Sequence, residues 1–278
     1  MKCLITGASG FLGRHLKRAL TAQGEDVVVF GDGVDVRNYH DVYKYMEGID
    51  TVFHLAAKAE ISYCKDDVMT AMDVNLMGTL NCLLAAKENR VNRFIFASSV
   101  YATGDKGSFY GVSKRACEDL CKTFFKEYGL PYVILRYGSL YGTDSNEWNM
   151  IYRLCKALVN NKKFSFWGTG EEVREYINID DAVRCTIRAA MPIDYPSYTN
   201  KTLLVTGLQR MRIKEMFDLV QEMLGVENMI EYSPGDKTHY KSTPYVYDKN
   251  DLPQRIVMDN FIDINDGLYA CLSELGGK

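Results

Sequence analysis

Residues 2–13 read KCLITGASGFLG, and the fold is decided there. Cys3, Leu4 and Ile5 form an apolar run with no room for a helix before Gly7, which predicts a short, buried parallel strand. Gly7, Gly10 and Gly13 follow, and Leu12, Leu16, Ala19 and Leu20 then recur at helical spacing. Strand, glycine loop and helix in that order bring unpaired N–H groups and a helix N-terminus to one point, which attracts a pyrophosphate. The spacing is G-x-x-G-x-x-G, one residue longer in its first turn than the common G-x-G-x-x-G. The alternative is a tight strand-to-helix turn that uses glycine for its backbone alone.

Working outward, Asp26–Phe30 (DVVVF) predicts a second buried strand, followed by Gly31 and Asp32. In a dinucleotide fold an acid at the end of this strand hydrogen-bonds the adenosine ribose and disfavours a 2′-phosphate. Asp32 lies 25 residues after Gly7, with Gly31 standing where the acid usually does. This points to NAD over NADP; Arg14, at the helix start, is the residue that could reverse the preference by pairing with a phosphate. Asp35-Val36-Arg37-Asn38 predicts a short third strand after a minimal crossover. A helix over Tyr39–Glu47 leads to the strand Thr51–Leu55, closed by Ala56 and Ala57, whose small size lets a cofactor approach the backbone. His54 reads as a packed strand histidine rather than a base. The helical stretch Val68–Asn89 carries Asn75 on an apolar face, where it needs buried partners and braces the site.

Arg93–Ala97 (RFIFA) is the next strand and delivers Ser98 and Ser99 at its C-terminal end, the edge where open α/β sheets bind ligands. After a short loop, Tyr110 and Lys114 stand four apart on one face of a helix's first turn. A phenol titrates near 10 and is a poor base at neutral pH. A nearby ammonium and a helix N-terminus favour phenolate, so a lowered Tyr110 pKa is expected. Ser99 can hydrogen-bond the oxygen that Tyr110 protonates or deprotonates, while a nicotinamide moves the hydride.

These residues carry a resemblance. TGASGFLG at the start, HLAA at 54–57, VNLMGT at 74–79, FASS at 96–99, YGVSK at 110–114, LRYGSLYG at 135–142 and GTGEEVREYINIDDA at 168–182 span nearly the whole chain. The sequence resembles an extended short-chain dehydrogenase/reductase of the nucleotide-sugar epimerase/dehydratase group. The resemblance implies a catalytic triad at Ser99, Tyr110 and Lys114, and a cofactor held at Gly7, Gly10, Phe11, Leu12, Gly13 and Asp32. Further cofactor contacts are expected at Asp35, Val36, Leu55, Ala56, Ala57, Asn75 and Tyr137, besides Tyr110 and Lys114. Arg174 matches a position that grips the substrate's diphosphate, for which a charge-assisted fork is suited; a surface ion pair with Glu171 or Asp180 is the alternative. Substrate contacts are also expected at Ser99 and Ser139, although the group commonly has Asn at the latter. The interval from Ser99 to Tyr110 is 11 residues, shorter than in typical galactose epimerases, so a more open sugar site is expected. Val100 follows Ser99 where dehydratases carry acids, which disfavours dehydration and decarboxylation.

The expected architecture is therefore α/β: a Rossmann doubly wound parallel sheet over residues 1–142, to which later segments return, with residues 143–278 forming mainly a smaller α/β substrate-binding domain. Past Gly142 short elements are expected: a helix over Asn149–Val159, strands at Phe164–Phe166, Glu175–Ile179 and Thr202–Thr206, and helices from Asp180, over Ile213–Leu224 and over Gly267–Leu275. The polar segment Ser233–Asn250 reads as a loop over the ligand cleft, with His239 and Tyr240 as possible substrate contacts.

Bulk properties narrow the function. The 278 residues are 47% apolar and 25% charged with a net charge of −3, values that suit a soluble globular protein and offer nucleic acid no attraction. The eight cysteines show no C-x-x-C pair, so no metal or disulfide framework is expected. Nothing but Met1 precedes the first strand and no run of about 18 apolar residues is evident, so a cytoplasmic chain without a membrane partner is expected. The first-choice activity is an NAD-dependent nucleotide-sugar epimerase working through a 4-keto sugar. The runner-up is an NAD(P)H-dependent nucleotide-4-keto-sugar reductase, and a non-catalytic dinucleotide sensor is the remaining class. The helices near 68–89 and 113–128 match those that pair in dimeric relatives, so a homodimer is expected.

Overall fold

A computed structural model describes residues 1–191, 198–208, 210–233 and 253–276. The chain runs β1 (Lys2–Thr6), α1 (Phe11–Ala22), β2 (Asp26–Val29), α2 (Tyr39–Tyr45), β3 (Thr51–His54), α3 (Ile61–Asp66) and α4 (Val68–Met72). A π turn over Asp73–Met77 leads into α5 (Gly78–Glu88), then β4 (Arg93–Ser99), α6 (Ser108–Tyr128), β5 (Tyr132–Tyr137), β6 (Ser139–Tyr141) and α7 (Met150–Val159). There follow β7 (Phe164–Trp167), β8 (Val173–Asn178), α8 (Ile179–Ala190), β9 (Lys201–Val205), β10 (Arg210–Arg212), α9 (Ile213–Leu224), β11 (Ile230–Ser233), β12 (Gln254–Arg255) and α10 (Ile264–Glu274).

The chain divides into two compact units. The first comprises the described parts of Met1–Tyr137, Val183–Val205 and Tyr245–Ile256. Its seven-stranded sheet has the order β12-β9-β5-β4-β3-β1-β2, and each pairing is parallel. Such a sheet is covered on both faces and its central strands are correspondingly apolar throughout: Cys3, Leu4, Ile5, Val52, Phe53, Phe94, Ile95, Val133, Ile134 and Leu135 are fully buried. The expected doubly wound parallel sheet is present.

The expected third strand is absent. Residues 31–38 form two turns and no strand, so the sheet ends at β2. Two local hydrogen bonds close these turns, Val34 N–H to the Gly31 carbonyl (3.2 Å) and Asn38 N–H to the Asp35 carbonyl (2.9 Å). Arg37 folds back onto Asp35 in the same stretch. Asn38 then caps α2, accepting from the N–H groups of His40 and Asp41.

The stretch expected as one helix over 68–89 is broken at its centre by the π turn around Asn75. By length and mean composition alone, 68–88 is long and apolar enough to cross a membrane, although Asp73, Asn75 and Asn81 interrupt its apolar residues. Its inner face belongs to the first unit's core through Cys82, Leu83, Ala85 and Ala86.

The second unit comprises the described parts of Gly138–Ala182, Thr206–Pro244 and Val257–Lys278. It holds a three-stranded sheet, β10-β8-β6, and a two-stranded one, β11-β7. Helices α7, α9 and α10 supply its core with Ile151, Leu154, Phe217, Val220 and Leu268. The segment Ser233–Asn250, with His239 and Tyr240, lies outside the described residues except for Ser233, the last residue of β11.

Candidate active site

The glycine loop works by close approach. Gly7 has φ +70°, and a Cβ there would stand 2.7 Å from the Ala56 backbone nitrogen. A Cβ on Gly13 would stand 2.2 Å from the Gly7 carbonyl oxygen, so α1 packs against its own loop. Gly10 differs, since a Cβ there would meet only that carbonyl, at 3.2 Å. Gly10 also caps α1 without any side-chain hydrogen bond, which leaves the helix's first N–H groups facing outward. Glycine conformation at one point, tight packing at another and an open backbone between them fit a dinucleotide's pyrophosphate. Phe11 and Leu12 begin α1, and the Phe11 ring meets His15 edge-on at 5.5 Å.

Thr6 ties the loop to β3. Its hydroxyl accepts from the N–H groups of Leu55 and Ala56, both at 3.2 Å, and contacts His54 Nδ1 at 2.8 Å. The other ring nitrogen of His54 meets the Thr79 hydroxyl at 2.9 Å. Burial and the Lys114 charge push His54 down to about 3, so it is a neutral packing group, as the strand context predicts. Ala56 and Ala57 continue the edge beside the loop.

Asp32 is exposed in the turn after β2. Asp35 is bound by Arg37 at 2.7 Å, which holds its carboxyl below the usual carboxylate range. Arg37 also reaches Asp73 at 3.5 Å. Val36 is buried, and its carbonyl accepts from Asn81 at 3.0 Å. Arg14 donates to the Ser9 carbonyl at 2.7 Å, so this cation is engaged within the loop.

The candidate chemical centre lies at the end of β4. Helix α6 begins at Ser108, which places Tyr110 in its first turn and Lys114 in its second. The Tyr110 ring is enclosed by Ile61, Cys64, Ala71 and Tyr101, and Ser99 acts on its phenol to favour the ionised form. Lys114 is buried, donates to the Ala97 carbonyl at 2.7 Å, and lies 4.9 Å from the Phe96 ring centroid and 5.8 Å from that of Tyr110. Asn75 exchanges hydrogen bonds with the Lys58 backbone at 2.7 and 3.1 Å and donates to Ser113 at 3.1 Å. Ser113 in turn donates to the Tyr110 carbonyl at 2.8 Å. Asn75 thus braces α6, a role its position on an apolar helix face suggests. Tyr137 is buried and its hydroxyl meets Thr186 at 2.6 Å.

The ionisation of the pair departs from expectation. Burial pushes Tyr110 up to about 12, only partly offset by Ser99, rather than down. Lys114 directs its ammonium at the Ala97 carbonyl and lies over ring faces, so its charge is not spent on the phenol oxygen. Burial instead pushes Lys114 itself down to about 8.

Three features of the site are not evident in the sequence pattern. A Cβ on Gly111 would lie 2.5 Å from the Tyr101 carbonyl oxygen, and one on Gly107 would lie 2.8 Å from the same atom. The short loop can therefore return directly onto α6, and the signal for it was a glycine immediately after Tyr110. One turn beyond Lys114, Glu118 forms a buried fork with Arg136, at 2.8 Å to Nε and 2.6 Å to Nη2, and accepts from Ser98 at 2.5 Å. The third is Tyr45, whose hydroxyl accepts the Gly31 N–H at 3.0 Å.

In the second unit, Ser139 opens β6 opposite Tyr176 of β8. Arg174 is buried on β8 and donates to the Val173 carbonyl at 2.8 Å. Glu171, one alternative partner of Arg174, instead pairs with Lys214 and with Arg212, the latter at 3.5 Å. All eight cysteines are buried and unpaired. Among the described residues no group of three His, Cys, Asp or Glu could hold a metal ion.

The model of the NAD dependent epimerase/dehydratase family matches residues 3–194. The chain belongs to this family. Its similarity to individual epimerases extends over the full length. A Bacillus subtilis (strain 168) protein named as an uncharacterized UDP-glucose epimerase, YtcB, is 26% identical across 99% of each chain. The UDP-glucuronate 4-epimerase of Thermodesulfobacterium geofontis (strain OPF15) is 25% identical across 86% of each. Among solved structures, the UDP-glucuronic acid 4-epimerase of Bacillus cereus, in complex with UDP-glucuronic acid and NAD, has a TM-score of 0.84 at 24% identity over 99% of each chain. The UDP-glucose 4-epimerase of Thermotoga maritima, with UDP-glucose, has a TM-score of 0.81 at 22% identity over 99% of each chain. These structural likenesses show the epimerase/dehydratase-family fold.

Proposed function

We propose that this family member is an NAD-dependent nucleotide-sugar epimerase acting at C4 through a transient 4-keto sugar. The observation that carries the reading is that Ser99 at the C-terminal end of β4, Tyr110 in the first turn of α6 and Lys114 one turn further along are all buried. Gly7, Gly10, Phe11, Leu12 and Gly13 hold the cofactor's pyrophosphate. The 31–36 turn, including Asp32, Asp35 and Val36, holds its adenosine, and Leu55, Ala56, Ala57, Asn75, Tyr137 and Lys114 line or brace the remainder. NAD, when bound, supplies a reversible hydride acceptor. Tyr110, as its phenolate, takes the C4 hydroxyl proton, and Ser99 hydrogen-bonds the same oxygen as it becomes a carbonyl. Lys114 contributes positive charge, and Ser139 and Arg174 bind the nucleotide-sugar's sugar and diphosphate. The proton returns from Tyr110 once the ketone has presented its other face, so the cycle is redox-neutral.

The phenol held near 12 is protonated at neutral pH, the form that reduction of a ketone requires, which keeps the nucleotide-4-keto-sugar reductase as the second reading. Denaturing the purified protein and identifying the released dinucleotide separates the two. Stoichiometric NAD or NADH supports the epimerase, because a recycled carrier need not leave. A protein free of dinucleotide that binds NADPH more tightly than NADH supports the reductase. Turnover of UDP-sugars followed by NMR of the anomeric protons tests the substrate class.

We also propose a cytoplasmic homodimer. Met69, Met77, Phe125 and Tyr128 leave apolar surface exposed on the helices over 68–88 and on α6. Light scattering that gives a monomer mass at micromolar concentration would remove that part.

A further inference from the structure

Position 31 follows the second strand by two residues and lacks a side chain, although an acid at the end of this strand is what reads an adenosine ribose in dinucleotide folds. The place is filled from elsewhere. An ideal Cβ on Gly31 would stand 2.9 Å from the Tyr45 hydroxyl, so that hydroxyl lies in the space a side chain at position 31 would reach into. Tyr45 is the last residue of α2, and its ring packs edge-on against Phe30 at 5.1 Å and 70°. Its oxygen accepts the Gly31 N–H at 3.0 Å, which fixes the hydroxyl beside the exposed end of the strand.

A phenol has one proton to donate. Because the oxygen here already accepts from a backbone N–H, that proton remains for an acceptor, and no other hydrogen bond of this hydroxyl occurs among the described residues. The neighbouring charged groups are otherwise occupied or directed outward. Arg37 is bound to Asp35 and Asp73, Arg14 donates to Ser9, and Asp32 is exposed in its turn.

We infer that the Tyr45 hydroxyl, rather than the carboxylate of Asp32, is the specificity-determining contact for the adenosine ribose, donating to its 2′-hydroxyl oxygen. This rests on the dinucleotide reading of the glycine loop.

Isothermal titration of NAD into protein freed of bound dinucleotide tests it with no recourse to turnover. Loss of one neutral hydrogen bond predicts that Tyr45→Phe raises the Kd about 3- to 10-fold. Gly31→Ala, whose new methyl group would displace the hydroxyl, should produce a loss of the same order. The Tyr45→Phe penalty should vanish with a dinucleotide whose adenosine ribose lacks the 2′-hydroxyl, which a merely structural role of Tyr45 would not produce. An unchanged Kd in Tyr45→Phe, or a Tyr45→Phe penalty that persists with the dinucleotide lacking the 2′-hydroxyl, would overturn the inference while leaving the enzyme reading intact. A wild-type protein that binds no NAD would overturn both.

Discussion

Replacing Lys114 with Met should stabilise the protein while abolishing turnover. The ammonium sits among Phe96, Tyr110 and the Ala97 carbonyl, buried enough that its pKa falls from 10.5 to about 8. That difference of about 2.5, at 1.36 kcal/mol per pH unit, makes keeping the folded protein's lysine charged cost about 3 kcal/mol. The sign follows from proton binding. Between about pH 8 and 10.5 the unfolded chain holds the Lys114 proton and the folded chain does not, so this residue makes stability rise with pH across that window. The benefit is complete above about 10.5, is lost as the pH falls to about 8, and is absent at pH 7. Lys114→Met should therefore exceed the wild type by about 3 kcal/mol at pH 7, less whatever the lost Ala97 hydrogen bond contributed, about 1 kcal/mol. Urea unfolding at pH 7 and at several values up to 10.5 is the assay. The difference between the two proteins isolates Lys114 from the cysteines and tyrosines that titrate in the same range. A variant less stable than wild type at pH 7, or a difference that does not shrink towards pH 10.5, would refute the reasoning.

Other outcomes follow from the same contacts. Glu118→Gln leaves Arg136 charged in a buried site and should cost about 3–5 kcal/mol, whereas the double change Glu118→Met with Arg136→Met should be close to neutral; thermal unfolding distinguishes them. Gly13→Ala forces a methyl group to 2.2 Å from the Gly7 carbonyl and should abolish folding of the loop, seen as loss of soluble protein or of NAD binding. Gly10→Ala, with only a 3.2 Å contact, should fold normally and lose dinucleotide affinity, measured by titration. Tyr110→Phe should retain NAD and lose about 10²- to 10⁴-fold in turnover, measured by NMR of the sugar product.

Much of the first unit was legible because its signals are local. An apolar run ending in glycine can only be a short strand, and the distance from Tyr110 to Lys114 is one helical turn. The strand expected at Asp35–Asn38 was misread because Val36 is apolar and buried. Its burial comes from packing under Gly78, where a Cβ would lie 2.6 Å from the valine side chain, and not from any ladder. The ionisation of Tyr110 could not be read from spacing either, since the Lys114 side chain sits on the same helix yet points to a strand carbonyl. Tyr45 and Gly31, 14 residues apart, gave no pattern, and the Glu118–Arg136 fork joins residues 18 apart in different elements. In both cases the meaning lies in a contact made only by the folded sheet.

The π turn at Asp73–Met77 amounts to one surplus residue absorbed by a helix. Seen as an insertion, it explains why the helix on either side can keep its own alignment. Upstream, Ala71 lies in the cluster around Tyr110; downstream, Thr79 meets His54. Deleting a single residue here would restore an ordinary α-helix and rotate everything after it by about 100° relative to everything before it. Thr79 would leave His54, and the carbonyl of Asn75, which accepts from both Thr79 and Cys117, would lose its partners. The reading frame of this helix is thus as much a part of the site as any side chain it presents.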